Sequence, residues 1–122
     1  MFIVDEATGR IDMHRGDTGA FTISLDGYTL GENDRVMITF MGMGGTEIKK
    51  AYYAPVNNQV TVTFGNPETD YLSAGDYKWD VRVVIDPEWD TSGEEPVIVD
   101  GAAVSTPMDP MTLHIRATVG QI

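Results

Sequence analysis

Leu72-Ser73-Ala74-Gly75-Asp76-Tyr77-Lys78-Trp79-Asp80-Val81-Arg82-Val83-Val84-Ile85 is a turn followed by the cleanest strand in the chain. Tyr77, Trp79, Val81, Val83 and Ile85 recur at period two, the signature of a half-buried strand. Lys78, Asp80 and Arg82 take the opposite face. Gly75 stands two residues before Tyr77, where a chain turning sharply into a strand can need φ > 0. Tyr77, Trp79, Val81 and Val83 are therefore expected in the core, with Gly75 closing the turn.

The same period extends in both directions. Upstream, Ile3-Val4 and Ile11/Met13 are short apolar pieces, and Arg15-Gly16-Asp17-Thr18-Gly19 is a turn cluster in which Gly16 and Asp17 tolerate tight backbone. Phe21, Ile23 and Leu25 point inward on the next strand; Val36, Ile38 and Phe40 do so on Arg35 to Met41. Thr46 to Tyr53 reads as a strand ended by Pro55, and Asn57-Asn58 turns the chain into Gln59 to Phe64, with Val60, Val62 and Phe64 inward. Downstream, Asp86 to Pro96 reads as an exposed loop, with five acids and no base. Val97-Ile98-Val99 reads as a short strand before an Asp100-Gly101 turn. A loop bracketed by Pro107 and Pro110 precedes a last strand, Met111 to Val119, carrying Leu113 and Ile115. No window repeats at 3.6. The expected fold is all-β: one domain over residues 1–122, an antiparallel immunoglobulin-like β-sandwich of about seven or eight strands. The Gly-x-Tyr turn before a long strand has the look of a tyrosine corner, whose hydroxyl bonds back to upstream backbone.

Composition narrows the function classes. With 19 acidic and 8 basic residues the formal net charge is −11. That disfavours nucleic acid and anionic membrane, which bind through clustered Lys and Arg. There is no Cys, hence no disulfide framework or thiolate chemistry. The start, Met1-Phe2-Ile3-Val4-Asp5-Glu6, lacks a basic region and an apolar run of signal-peptide length. No stretch approaches the ~20 apolar residues of a membrane span. A soluble protein made in the cytosol, with no cleaved signal, is expected.

Catalytic and metal signatures are weak. His14 and His114 lie far apart in sequence, each in a predicted strand, and no His-x-x-x-His or Cys pair accompanies them. The acids of Asp86 to Glu95 lack EF-hand spacing, so a solvated loop is preferred to a calcium site. Arg15-Gly16-Asp17 is the integrin tripeptide, but a turn between strands accounts for it. Gly42-Met43-Gly44-Gly45 lacks the Gly-Lys-Ser/Thr ending of a phosphate loop. With Met37 and Met41 it is a hairpin end or a soft contact surface. No Gly-x-Ser-x-Gly elbow occurs. The reading is non-enzymatic, with no catalytic, cofactor or metal residue assigned.

Two stretches resemble a known family. Ile11 to Leu25, with its Arg-Gly-Asp-Thr turn entering an alternating strand, resembles the opening of small structural domains of tailed phages and prophages. Asp70 to Val83, with a Leu, a Gly, an aromatic and then an aromatic-Asp strand, resembles their second hallmark. Val99-Asp100-Gly101 and the closing strand sit where those domains finish. The family it resembles is the N-terminal domain of the phage baseplate upper protein. That resemblance implies a non-enzymatic assembly module, made in the host cytoplasm and carried in the virion tail. Its partners would be other tail and virion proteins, with self-association as a further option. The family's receptor-binding tip lies in downstream segments absent from these 122 residues, so assembly is the expected role. The alternative is a carbohydrate-binding or adhesive sandwich that uses Trp89, Tyr52, Tyr53 or Tyr28 as sugar platforms.

Overall fold

Alternating apolar residues need a partner layer, and the computed structural model shows how they find one. It describes residues 2–42, 47–65 and 72–117, with Ile48 by its backbone only. These residues form nine strands and no helix: β1 Ile3–Val4, β2 Ile11–His14, β3 Gly19–Ser24, β4 Arg35–Met41, β5 Glu47–Tyr53, β6 Gln59–Phe64, β7 Gly75–Asp90, β8 Val97–Ser105 and β9 Met111–Arg116. The larger sheet runs β1-β2-β9-β7-β4-β5, with β8 joined to β7; β3 and β6 form a second, two-stranded sheet.

Inward residues of both sheets meet in one hydrophobic cluster. The larger sheet supplies Ile11, Met13, Val36, Ile38, Phe40, Trp79, Val81, Val83, Leu113 and Ile115; the smaller supplies Ile23, Val60, Val62 and Phe64. Leu25 and Leu72 join them, while Phe2, Phe21, Tyr77 and Ile85 are partly buried against the cluster. At its centre the Trp79 ring stacks on Phe40 at 5.5 Å and meets Phe21 edge-on at 5.3 Å. Its indole N–H donates to the Gly9 carbonyl at 3.1 Å, so the polar end of the ring is satisfied as burial requires.

The turns follow their chemistry. The Tyr77 hydroxyl donates to the Ser73 carbonyl at 2.7 Å, and Gly75 adopts φ 144° at the entry to β7. Gly16 adopts φ 86°, and the Asp17 carboxylate accepts from the His14 amide at 3.1 Å across that turn. Asn57 and Asn58 both take positive φ (53° and 57°), and Val56 and Gln59 exchange both backbone bonds around them. This is the two-residue turn that Asn tolerates better than most residues. The Asn58 side chain then bonds the Tyr28 carbonyl and the Leu30 amide, tying the loop after β3 to this turn.

Four expectations are corrected. The sheet is mixed rather than antiparallel, because β2 and β9 pair in parallel from Ile11↔Leu113 to His14↔Arg116. Period-two alternation is the same in either direction, so the residues could not disclose it. Asp86 to Asp90 is strand, not loop: Pro87 and Trp89 are half-buried between exposed Asp86, Glu88 and Asp90. Pro87 is tolerated because β4 pairs with β7 only as far as Val84, leaving one edge without a ladder to interrupt. Asp100-Gly101 lies inside β8 rather than at a turn, paired with Glu88 and Pro87. A Cβ on Gly101 would sit 2.5 Å from the Val84 side chain, which favours glycine at that crossing. β9 ends at Arg116, short of the expected Val119; Val119 lies outside the described residues, as do Thr46 and 66–71.

Candidate functional site

β7 is longer than its neighbours, and that length creates the most distinctive surface. From Gly75 to Trp79 it pairs with β9, and from Val83 to Asp90 it pairs with β8 along the same edge. Beyond Val84 it leaves β4, so residues 85–105 include a two-stranded ribbon. Asp86 stands at the departure with φ 47°, a conformation Asp accepts more readily than most residues. Its amide donates to the Asp34 carboxylate at 3.1 Å, which also accepts from the Gly31 amide at 2.7 Å. Asp34 is 8% exposed and is the one buried charged residue among those described. The ribbon leans on β5: Trp89 meets Tyr52 edge-on at 5.4 Å, the Arg35 guanidinium lies 6.0 Å from the Trp89 ring centre, and the Ile98 amide donates to the Tyr52 hydroxyl at 3.4 Å. At its tip the Ser92 hydroxyl and amide bond Asp90 and hold that carboxyl below its usual range.

β8 pairs with β7 alone among the described strands. Val97, Val99 and Val104 are 43%, 58% and 53% exposed, three of the six large apolar residues exposed in the described chain. Glu88 and Asp100, both exposed, stand directly opposite each other in the ladder.

Two concave surfaces lie away from the ribbon. On the outward face of β4 and β7, Met37, Thr39 and Met41 with Lys78, Asp80, Arg82 and Pro110 line a groove of about 410 Å³. Of the Gly42-Met43-Gly44-Gly45 stretch, 43–45 lie outside the described residues. A second cleft, about 720 Å³, opens between residues 4–9, β3 and 108–111, with Trp79, Phe21 and Ile23 inside and Asp5, Glu6, Asp26 and Asp109 among its lining.

The histidines are structural neighbours of carboxylates. His114 pairs with Asp12 on β2 and Asp76 on β7, and its Nδ1 lies 2.5 Å from Asp76 Oδ1. Arg10 bonds the Asp12 carboxylate at 3.1 Å and holds its pKa below the usual value. His14 Nδ1 is 3.9 Å from Asp17. No group of three or more His, Cys, Asp or Glu among the described residues is placed to hold a metal ion. The platform candidates are engaged internally: Tyr52 with Trp89, and Tyr28 through its hydroxyl with Ser105. Tyr53 is half-buried against the core.

The core and turn residues read from sequence therefore scaffold the surface rather than form it. What that reading missed was the continuation of β8 beyond Val99 to Ser105 and the role of Asp34. The signal for β8 was present: apolar residues continue on both sides of Asp100-Gly101, at Val97 to Val99 and at Ala102 to Val104. No family model, curated protein or solved structure matches the chain. No helix among the described residues is long and apolar enough to cross a membrane.

Proposed function

We propose that the chain is a non-enzymatic assembly module of a phage or prophage tail, of baseplate type, binding neighbouring virion proteins through an immunoglobulin-like β-sandwich. The observation that carries the reading is the Tyr77–Ser73 corner inside the Asp70–Val83 motif. It gives a physical form to the motif on which the family resemblance rests. Two features support it. Under this reading the order β9-β7-β4-β5, with β3 and β6 in a second sheet, corresponds to the sheets of a variable-type immunoglobulin domain, β7 standing for the strand that bears the corner. The exposed β8 edge offers unpaired backbone, the common means by which sheets recruit other chains.

Retention of a defined tail component from a virion lysate by the tagged chain is the expected result. Retention of none, at near-physiological salt, counts against the assignment. Sugar binding ranks second, because Trp89, Tyr52 and Tyr28 use their rings and hydroxyls on internal contacts. A glycan array with and without calcium separates the two readings: a hit abolished by Trp89→Ala reverses the order.

A further inference from the structure

We propose that the β8 edge, from Val99 to Ser105, receives an extended basic strand of a partner protein, which adds to the ribbon by backbone pairing. The inference deepens the assembly reading and rests on it for the partner being a protein.

β8 is the longest strand with a wholly open side among those described. Natural edges are blunted by brevity, by Lys, by Pro, by bulges or by inward charge. β1 has only two residues, β5 carries Lys49 and Lys50, and β3 and β6 have six residues each with no charge to select a partner. β8 has nine residues, no Lys, no Pro and a single charge, Asp100; its one irregularity is at the N-terminal end of the open stretch, where the register slips at Val99. Its Ile98 amide is taken by Tyr52 and its Ser105 hydroxyl by Tyr28, so both ends are held; between them the Gly101 amide donates to the Asp100 carboxylate at 2.8 Å, and β7 is the one described strand partner. The strand is thus anchored in an extended form before any partner arrives, which lowers the ordering cost of pairing.

Charge selects the occupant. Asp86, Glu88 and Asp90 alternate on β7 as exposed residues, and Asp100 stands opposite Glu88. None of the four forms an ion pair with a base among the described residues. Like charges directly opposite in a ladder are unfavourable. A strand bearing Lys or Arg at alternate positions would place cations beside Asp100 and Glu88 and apolar side chains against Val99 or Val104. A second copy of this chain does the reverse. Antiparallel β8–β8 pairing about Gly101 sets Asp100 opposite Ala102 and diagonal to the other Asp100, between chains of net charge −11 each.

The probe is a blocked nine-residue peptide of alternating Lys and Val, titrated into isotopically labelled protein. Its control has the same charge, with Pro replacing every Val, and so cannot continue a ladder. The expected result is saturable binding of the first peptide with amide shifts centred on 99–105. Binding should fall at least about tenfold with Val99→Lys plus Val104→Lys, which add like charge to the edge, and as salt is raised to 0.5 M, roughly a Debye length of 4 Å. Glu88→Gln plus Asp100→Asn should weaken binding while leaving the fold intact. Equal binding of the Pro control, shifts centred on the Met37–Met41 groove, no binding, or edge variants that bind as the parent would each overturn the proposal. So would self-association of the free chain through β8. Capture of a tail component that survives the Val99→Lys/Val104→Lys change would reject this site and leave the assembly reading standing. Peptide binding without capture of any tail component would do the opposite.

Discussion

Trp79 shows how one side chain can hold several elements. Its ring lies between β4 and β3, against Phe40 and Phe21, and its N–H reaches back to Gly9. Truncating such a residue loses both transfer free energy and packing, ~3–5 kcal/mol against a total of ~5–15 for a domain of this size. Trp79→Ala is expected to be marginal or unfolded in a urea titration. Lys78, its neighbour, is exposed and donates only to the Thr112 hydroxyl at 3.2 Å. Lys78→Ala should lie within about 0.5 kcal/mol of the parent. If Lys78→Ala unfolds the chain and Trp79→Ala does not, every face assigned on β7 is inverted. Asp34 is a different kind of anchor, one carboxylate shared by the Gly31 and Asp86 amides. Asp34→Ala leaves both without their acceptor and should cost about 1–3 kcal/mol. Asp34→Asn keeps one acceptor oxygen and should lose less. Equal midpoints for the two variants would show that the shared carboxylate contributes nothing to the joint. The local sequence shows at most the Gly31 half of this joint, since the other partner, Asp86, lies 52 residues away.

At the scale of elements, strands that cover the core were legible because one buried face imposes strict alternation. Val36, Ile38 and Phe40, or Val60, Val62 and Phe64, could sit in few other ways. The ribbon was not legible for the complementary reason. Away from β4, an Asp, a Pro and a Gly are tolerated inside the strands, and the same residues elsewhere spell a turn. Asp100-Gly101 is the sharpest instance, because the reversal lies instead between β7 and β8, after Asp90. Gly101→Ala would push a methyl to 2.5 Å from Val84 Cγ1 and 3.1 Å from the Ile85 carbonyl, an overpacking of ~1–3 kcal/mol. Glu88→Gln removes the opposition with Asp100 and should stabilise the ribbon by up to ~1 kcal/mol. A ribbon can open without the core, so hydrogen exchange at the β8 amides is the proper readout. Faster exchange in Gly101→Ala and slower exchange in Glu88→Gln are expected. The opposite order would mean that the ladder around residues 88–101 is not paired in this register. Glu88 also stands where a basic partner strand is proposed, so the change that steadies the free ribbon should weaken that complex.

For the molecule as a whole, 19 acidic residues face 8 basic ones, and self-repulsion opposes compactness. Added salt should therefore raise the urea midpoint, since it screens repulsion spread over many carboxylates and weakens few exposed pairs. The Arg10–Asp12 pair on β2 supplies the contrary local case. The Asp12 carboxyl has its pKa lowered, first by the hydrogen bond from Arg10. A carboxyl lowered on folding contributes stability above its unfolded value, near 3.8, and loses it as pH falls through the folded value. Arg10→Ala should then be less stable than the parent at pH 7, and the gap should close only below about pH 3.8. Raising salt at pH 7 should narrow the same gap while raising both midpoints. If the two proteins stay equally far apart down to pH 2, Arg10 acts through packing of its stem rather than through its charge on Asp12. Midpoints that fall with salt would show that the ion pairs outweigh the net charge, and the acidic ribbon would then no longer be a source of unrelieved repulsion.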